Sequence, residues 1–152
     1  MENNEQGLCK AFVENVTAML AWAADVKYEL SVDEDHEYCT LHIPKVGEDG
    51  FDILVEIEPE DITVWAGDAH FHFDPDPPYV ETAQSVVSLL QRMLGPEMRI
   101  RELRTWGRAY KWQLQVKMDD GWHTIQTTAL WIGISLGRGS ERIYQNHVLD
   151  HS

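Results

Sequence analysis

The stretch from Phe51 to Asp74 decides the fold; it reads FDILVEIEPEDITVWAGDAHFHFD. At a period of two, Phe51, Ile53, Val55 and Ile57 fall on one face, and Asp52, Leu54, Glu56 and Glu58 on the other. Pro59-Glu60-Asp61 predicts a turn, Ile62, Val64 and Trp65 a second strand, and Gly67-Asp68 another turn. In the third strand Ala69, Phe71 and Phe73 share one face, with His70, His72 and Asp74 opposite. The product is an antiparallel meander with an apolar inner face and a largely acidic outer one.

Upstream, Leu8, Phe12, Val16, Met19, Leu20 and Ala23 recur at steps of three and four, which predicts a helix over Asn3 to Ala24, capped by Asn3 or Asn4. Two alternating segments follow, Lys27 to Val32 and Glu37 to Ile43. Downstream, Asp76 as N-cap and Pro77 at the first helical position open a second helix; Ala83, Val86, Val87, Leu90, Met93 and Leu94 form its stripe, and Gly95-Pro96 stop it. The last third returns to strands. Met98 to Trp106 is one. In Ala109 to Met118, Tyr110, Trp112, Leu114, Val116 and Met118 are expected inside. Asp119-Asp120-Gly121 is a hairpin turn, and Trp122 to about Leu136 the return. Strands that follow one another without intervening helices pair antiparallel. The expected fold is therefore a single α+β domain over residues 1–152, with two main helices on an antiparallel sheet of about seven to nine strands in the order helix, five strands, helix, three or four strands.

The 152 residues, 43% of them hydrophobic and six of them tryptophan, suffice for a core without a covalent staple. Cys9 and Cys39 lack metal spacing and are expected as buried thiols. MENNEQ has no basic leader, and Glu14 and Asn15 interrupt the one long apolar run, so neither a signal peptide nor a membrane span is expected and the cytoplasm is the default. The net charge is −14. It argues against nucleic acid or an anionic membrane as partner, since both call for a basic footprint. The charge is also uneven: Met1 to Leu90 carries 20 acidic and 3 basic residues, and Gln91 to Ser152 carries 6 and 9. Pairing of Arg99, Arg101 and Arg104 with Asp52, Glu56 and Glu58 across the sheet is the expected compensation.

Signals for chemistry are sparse. His70 and His72 lie about 7 Å apart along one strand face; with Asp74, and His42 approaching from an earlier strand, they are candidate ligands for zinc or a similar metal. Glu56 and Glu58 share a face without a cleft to aim at. No nucleophile elbow, P-loop or dinucleotide fingerprint is present. Trp106, Trp112, Trp122 and Trp131 could line a small-molecule site between sheet and helices.

The N-terminal helix, the acidic meander from Tyr28 to Phe73 and the helix from Pro77 to Leu94 resemble the type III secretion chaperones and related small acidic bacterial proteins. The resemblance implies a dimeric α+β domain that binds partner segments and does no chemistry. It covers about two-thirds of the chain and ends where Ala109 to Leu136 forms a Trp-rich hairpin in place of those chaperones' terminal helix. Acidic immunity proteins, which neutralise basic toxins, share the composition. The expected function is a non-enzymatic module binding a basic or amphipathic protein through Asp52, Glu56, Glu58, Glu60 and Asp61, with Trp65 as aromatic anchor. The alternative is a metal-binding protein or metal-dependent enzyme built on His70, His72 and Asp74.

Overall fold

Tight turns organise the strands. Ala66 pairs with Ala69 across the two-residue loop Gly67-Asp68, with Gly67 at φ +57° in the first central position. Thr105 pairs with Arg108 across Trp106-Gly107, where both residues have positive φ, and Met118 with Gly121 across Asp119-Asp120. Two-residue loops that open on a positive φ, as at Gly67 and Trp106, match the right-handed twist of the strands they join, whereas the last hairpin places its positive φ, +128°, at Gly121 just after the loop.

The computed structural model describes residues 7–23, 25–130 and 139–147. In chain order the elements are α1 (Leu8–Ala21), β1 (Glu29–Val32), β2 (Cys39–Ile43), β3 (Ile53–Ile57), β4 (Ile62–Ala66), β5 (Ala69–Phe73), α2 (Tyr79–Leu94), β6 (Met98–Thr105), β7 (Arg108–Met118), β8 (Gly121–Ala129) and β9 (Gly139–Tyr144). The fold is α+β with every strand pair antiparallel, in the expected order with four strands after α2. The nine described strands divide between two sheets: a five-stranded meander in chain order, and a four-stranded sheet ordered β8-β7-β6-β9. The sheets meet where edge strand β5 approaches edge strand β8. There the Thr128 hydroxyl accepts a hydrogen bond from the His70 amide at 3.2 Å and reaches the His70 carbonyl at 3.5 Å.

A single apolar cluster joins all layers. It takes Phe12, Val16 and Leu20 from α1, Val86, Leu90 and Met93 from α2, Leu41, Ile53, Val55 and Val64 from the first sheet, and Ile100, Trp112 and Leu114 from the second. Cys9 and Cys39 lie in it as free, buried thiols, and burial pushes both thiols upward. Among the described residues no helix is long and apolar enough to cross a membrane.

Several boundaries differ from expectation. The first helix begins at Leu8 after Gly7; a cap at Asn3 or Asn4 lies outside the described residues. The second begins at Tyr79 rather than Pro77, with no side-chain cap. Pro78 is the reason: its ring disfavours helical backbone at the residue before it, Pro77. The Asp76 carbonyl accepts instead from the Thr82 hydroxyl at 2.7 Å. In β7 the bulge opposite Leu103 and Arg104 falls at Tyr110, which is half-buried, and Met118 at the hairpin end is 53% exposed rather than inside.

Candidate protein-binding face

The outer face of the five-stranded sheet can be read row by row from its register. One row runs Glu29, His42, Leu54, Trp65, His70, and the next runs Ser31, Thr40, Glu56, Thr63, His72. Asp52 and Glu58 flank β3 at either end, both exposed. The Glu58 amide donates to the Asp61 carbonyl at 2.8 Å and closes the turn that carries Glu60 at its exposed tip. The six residues expected to bind a partner, Asp52, Glu56, Glu58, Glu60, Asp61 and Trp65, thus belong to β3, β4 and their flanking turns.

His72 meets Asp61 and Thr63 through one ring nitrogen. Its Nδ1 lies 2.9 Å from Asp61 Oδ2 and 3.2 Å from Thr63 Oγ1, and the Thr63 hydroxyl donates to Asp61 Oδ2 at 2.9 Å. A proton relay needs the carboxylate and the nucleophile on opposite nitrogens, so this is a surface ion-pair motif and not a triad. The His72 hydrogen bond, foremost, holds the Asp61 carboxyl below the usual carboxylate range, with Thr63 adding to it. His70 and His72 stand edge to face with ring centroids 5.6 Å apart. The carboxylate that His72 engages is Asp61 and not Asp74, because cross-strand neighbours approach more closely than alternate residues of one strand. Among the described residues no three His, Cys, Asp or Glu side chains are grouped so as to hold a metal ion.

Trp65 lies against His70 with ring centroids 4.5 Å apart. Trp65 Nε1 and His70 Nδ1 are buried and have no hydrogen-bond partner among the described residues. Beside the indole, His42, Asp52, Leu54, Trp65 and Gly67 line a cavity of about 230 Å³.

Arg99, Arg101 and Arg104 do not compensate this face. Arg101 Nε donates to Glu141 at 2.6 Å, Arg104 pairs with Glu102, and Arg99 donates to Gln115 at 2.9 Å while lying 4.2 Å over the Trp122 ring. All these partners belong to the four-stranded sheet, so the expected pairing with Asp52, Glu56 and Glu58 is not made. Among the described residues no ion pair includes Glu56, Glu58 or Glu60. Nor do the described tryptophans among these share a site: Trp106 is a turn residue, 79% exposed, Trp122 lies under Arg99 and Trp112 is buried, while Trp131 lies outside the described residues.

Sequence reasoning missed three polar residues in the core: Glu102, Asn146 and Gln115, the last 5% exposed although strand alternation places it outward. Glu102 is 6% exposed; its carboxylate accepts from Arg104, from Trp112 Nε1 at 3.1 Å and from the Tyr144 hydroxyl at 3.4 Å. The available signal was an acid at an inward position of β6, in step with Met98 and Ile100. Asn146 is 1% exposed; its Oδ1 accepts from the Phe51 amide and its Nδ2 donates to the Phe51 carbonyl, both at 3.1 Å. The chain after β9 is thereby tied to the start of β3 and fixes the position of Asp52. Comparison with protein-family models, curated proteins and solved structures finds no match to this chain.

Proposed function

We propose that the protein is a non-enzymatic, cytoplasmic binding module that recognises a basic or amphipathic segment of another protein through the outer face of its five-stranded sheet, as a chaperone or an immunity protein would. One observation carries this reading: the charge is divided by sheet. Arg99, Arg101 and Arg104 of the four-stranded sheet are engaged within it, and Glu56, Glu58 and Glu60 are left without an ion-pair partner among the described residues. Like charges on one face repel, and a basic partner relieves that repulsion while being drawn toward it. The dimer that the chaperone resemblance implies is part of the same proposal, and sedimentation tests it.

The test is the double variant Glu56→Lys/Glu58→Lys. The probe is a cationic amphipathic peptide of alternating lysine and leucine. Association with the wild type should be fast at low salt and slow steeply as salt rises, with dissociation little changed. The variant should keep its melting temperature and associate about tenfold more slowly or worse at low salt. A large fall in melting temperature, with the folded fraction associating at the wild-type rate, would reject the reading. The metal-binding alternative rests on the neighbouring His70 and His72 rings, with centroids 5.6 Å apart. It requires zinc to raise the melting temperature and His72→Ala to abolish that rise.

A further inference from the structure

We propose that the cavity beside Trp65 is an arginine pocket, in which a partner's guanidinium lies against the indole and pairs with Asp52. The proposal rests on the acidic-face reading above and names the side chain that anchors there.

At about 230 Å³ the cavity suits one long side chain and falls below the range of sites that enclose a whole small molecule. Its walls are of two kinds. Leu54 and Trp65 offer apolar and aromatic surface to a side-chain stem and a flat cation, and Asp52 supplies the opposite charge. The carboxylate is oriented in advance: Asp52 Oδ1 accepts from the Lys45 amide at 2.7 Å, which leaves Oδ2 for a ligand. Among the described residues no cationic side chain pairs with Asp52. The indole is held as well, by the His70 ring on its β5 side. Gly67, at the turn, adds no side chain to the cavity. A plane beside a carboxylate selects guanidinium over ammonium, because guanidinium stacks on an aromatic ring and presents a fork of donors, whereas ammonium is a compact and strongly hydrated point charge. Asp68, which follows Gly67 in the turn and lies beside Asp52, reinforces the preference for a cation without distinguishing its shape.

The experiment is a titration of the full chain with N-acetyl-arginine methylamide, following the Trp65 indole N–H by NMR. The lysine and norleucine analogues serve as comparisons. The indole resonance should shift saturably with arginine, about threefold more tightly than with lysine, and not at all with norleucine. Asp52→Asn, which keeps the acceptor for the Lys45 amide, should weaken arginine binding about tenfold. Leu54→Trp, which fills the cavity and leaves the carboxylate alone, should do the same. A response that does not saturate, an equal response to norleucine, or unchanged binding in both variants overturns the pocket. If the indole stays silent while Glu56→Lys/Glu58→Lys still slows association with the cationic peptide, the pocket is overturned and the acidic face stands. If neither responds, both fall.

Discussion

Replacing Asn146 with alanine should cost about 2–5 kcal/mol, more than its single uncharged side chain suggests. Its amide acts as a piece of backbone, accepting from the Phe51 N–H and donating to the Phe51 carbonyl at 3.1 Å each, and both residues are buried. Alanine strands both Phe51 groups, and a buried polar group without a partner costs about 1–3 kcal/mol. Aspartate should be no milder: it keeps an acceptor for the N–H but turns a second acceptor toward the carbonyl and buries a charge. Gly50 is the neighbouring probe. A Cβ there would lie 2.6 Å from Asn146 Oδ1 and 2.8 Å from the Val46 carbonyl, so Gly50→Ala should displace the same amide. Gly50→Ala and Asn146→Ala together should therefore cost less than their sum, because they damage one contact. Urea unfolding measures each step, and the single Asn146→Ala change should lower the melting temperature by about 5–15 °C. Hydrogen exchange at the Phe51 amide should accelerate in parallel. A loss below about 1 kcal/mol for Asn146→Ala, or an Asn146→Asp variant as stable as wild type, would refute the argument.

Two further outcomes follow from the core and the surface. Trp112→Ala should cost about 3–5 kcal/mol as a large aromatic deletion, whereas Trp112→Phe keeps most of the packing and should cost about 1–3 kcal/mol for the Glu102 oxygen left without its donor; a denaturant titration showing equal losses would exclude that hydrogen bond. Because Asp61 titrates below the ordinary carboxylate range, its stabilising contribution is full above that range and is lost as the pH falls through its own lower value. Carboxyl NMR should show that low midpoint rise toward the ordinary range in His72→Phe, with the Thr63 hydrogen bond still holding part of the shift, and an unmoved midpoint would assign the effect elsewhere.

Period-two alternation made the meander, the Asp119-Asp120-Gly121 hairpin and the burial of Trp112 legible, because each follows from which neighbours share a face. Charge pairing was not legible. Arg99, Arg101 and Arg104 look available to Asp52, Glu56 and Glu58 until it is known that β3 and β6 belong to different sheets, a fact of topology that no local pattern carries. Trp106 misled for a related reason: a bulky aromatic predicts burial, but before Gly107 it occupies a left-handed turn position and points outward. The cavity at Trp65 could not have been foreseen either, since Asp52 precedes β3 while Trp65 lies in β4, and the two meet only through the β3–β4 register.

The division of charge between the two sheets also gives the molecule an electric dipole. A charged body approaching from a distance exerts a torque on it, and turns it before any side chain touches. For a basic partner, the acidic sheet swings forward and the arginine-bearing sheet swings back, so a larger share of collisions begins in one orientation. Neutralising a carboxylate far from any contact should then alter the angle of approach, and with it the rate of capture, without altering the bound complex.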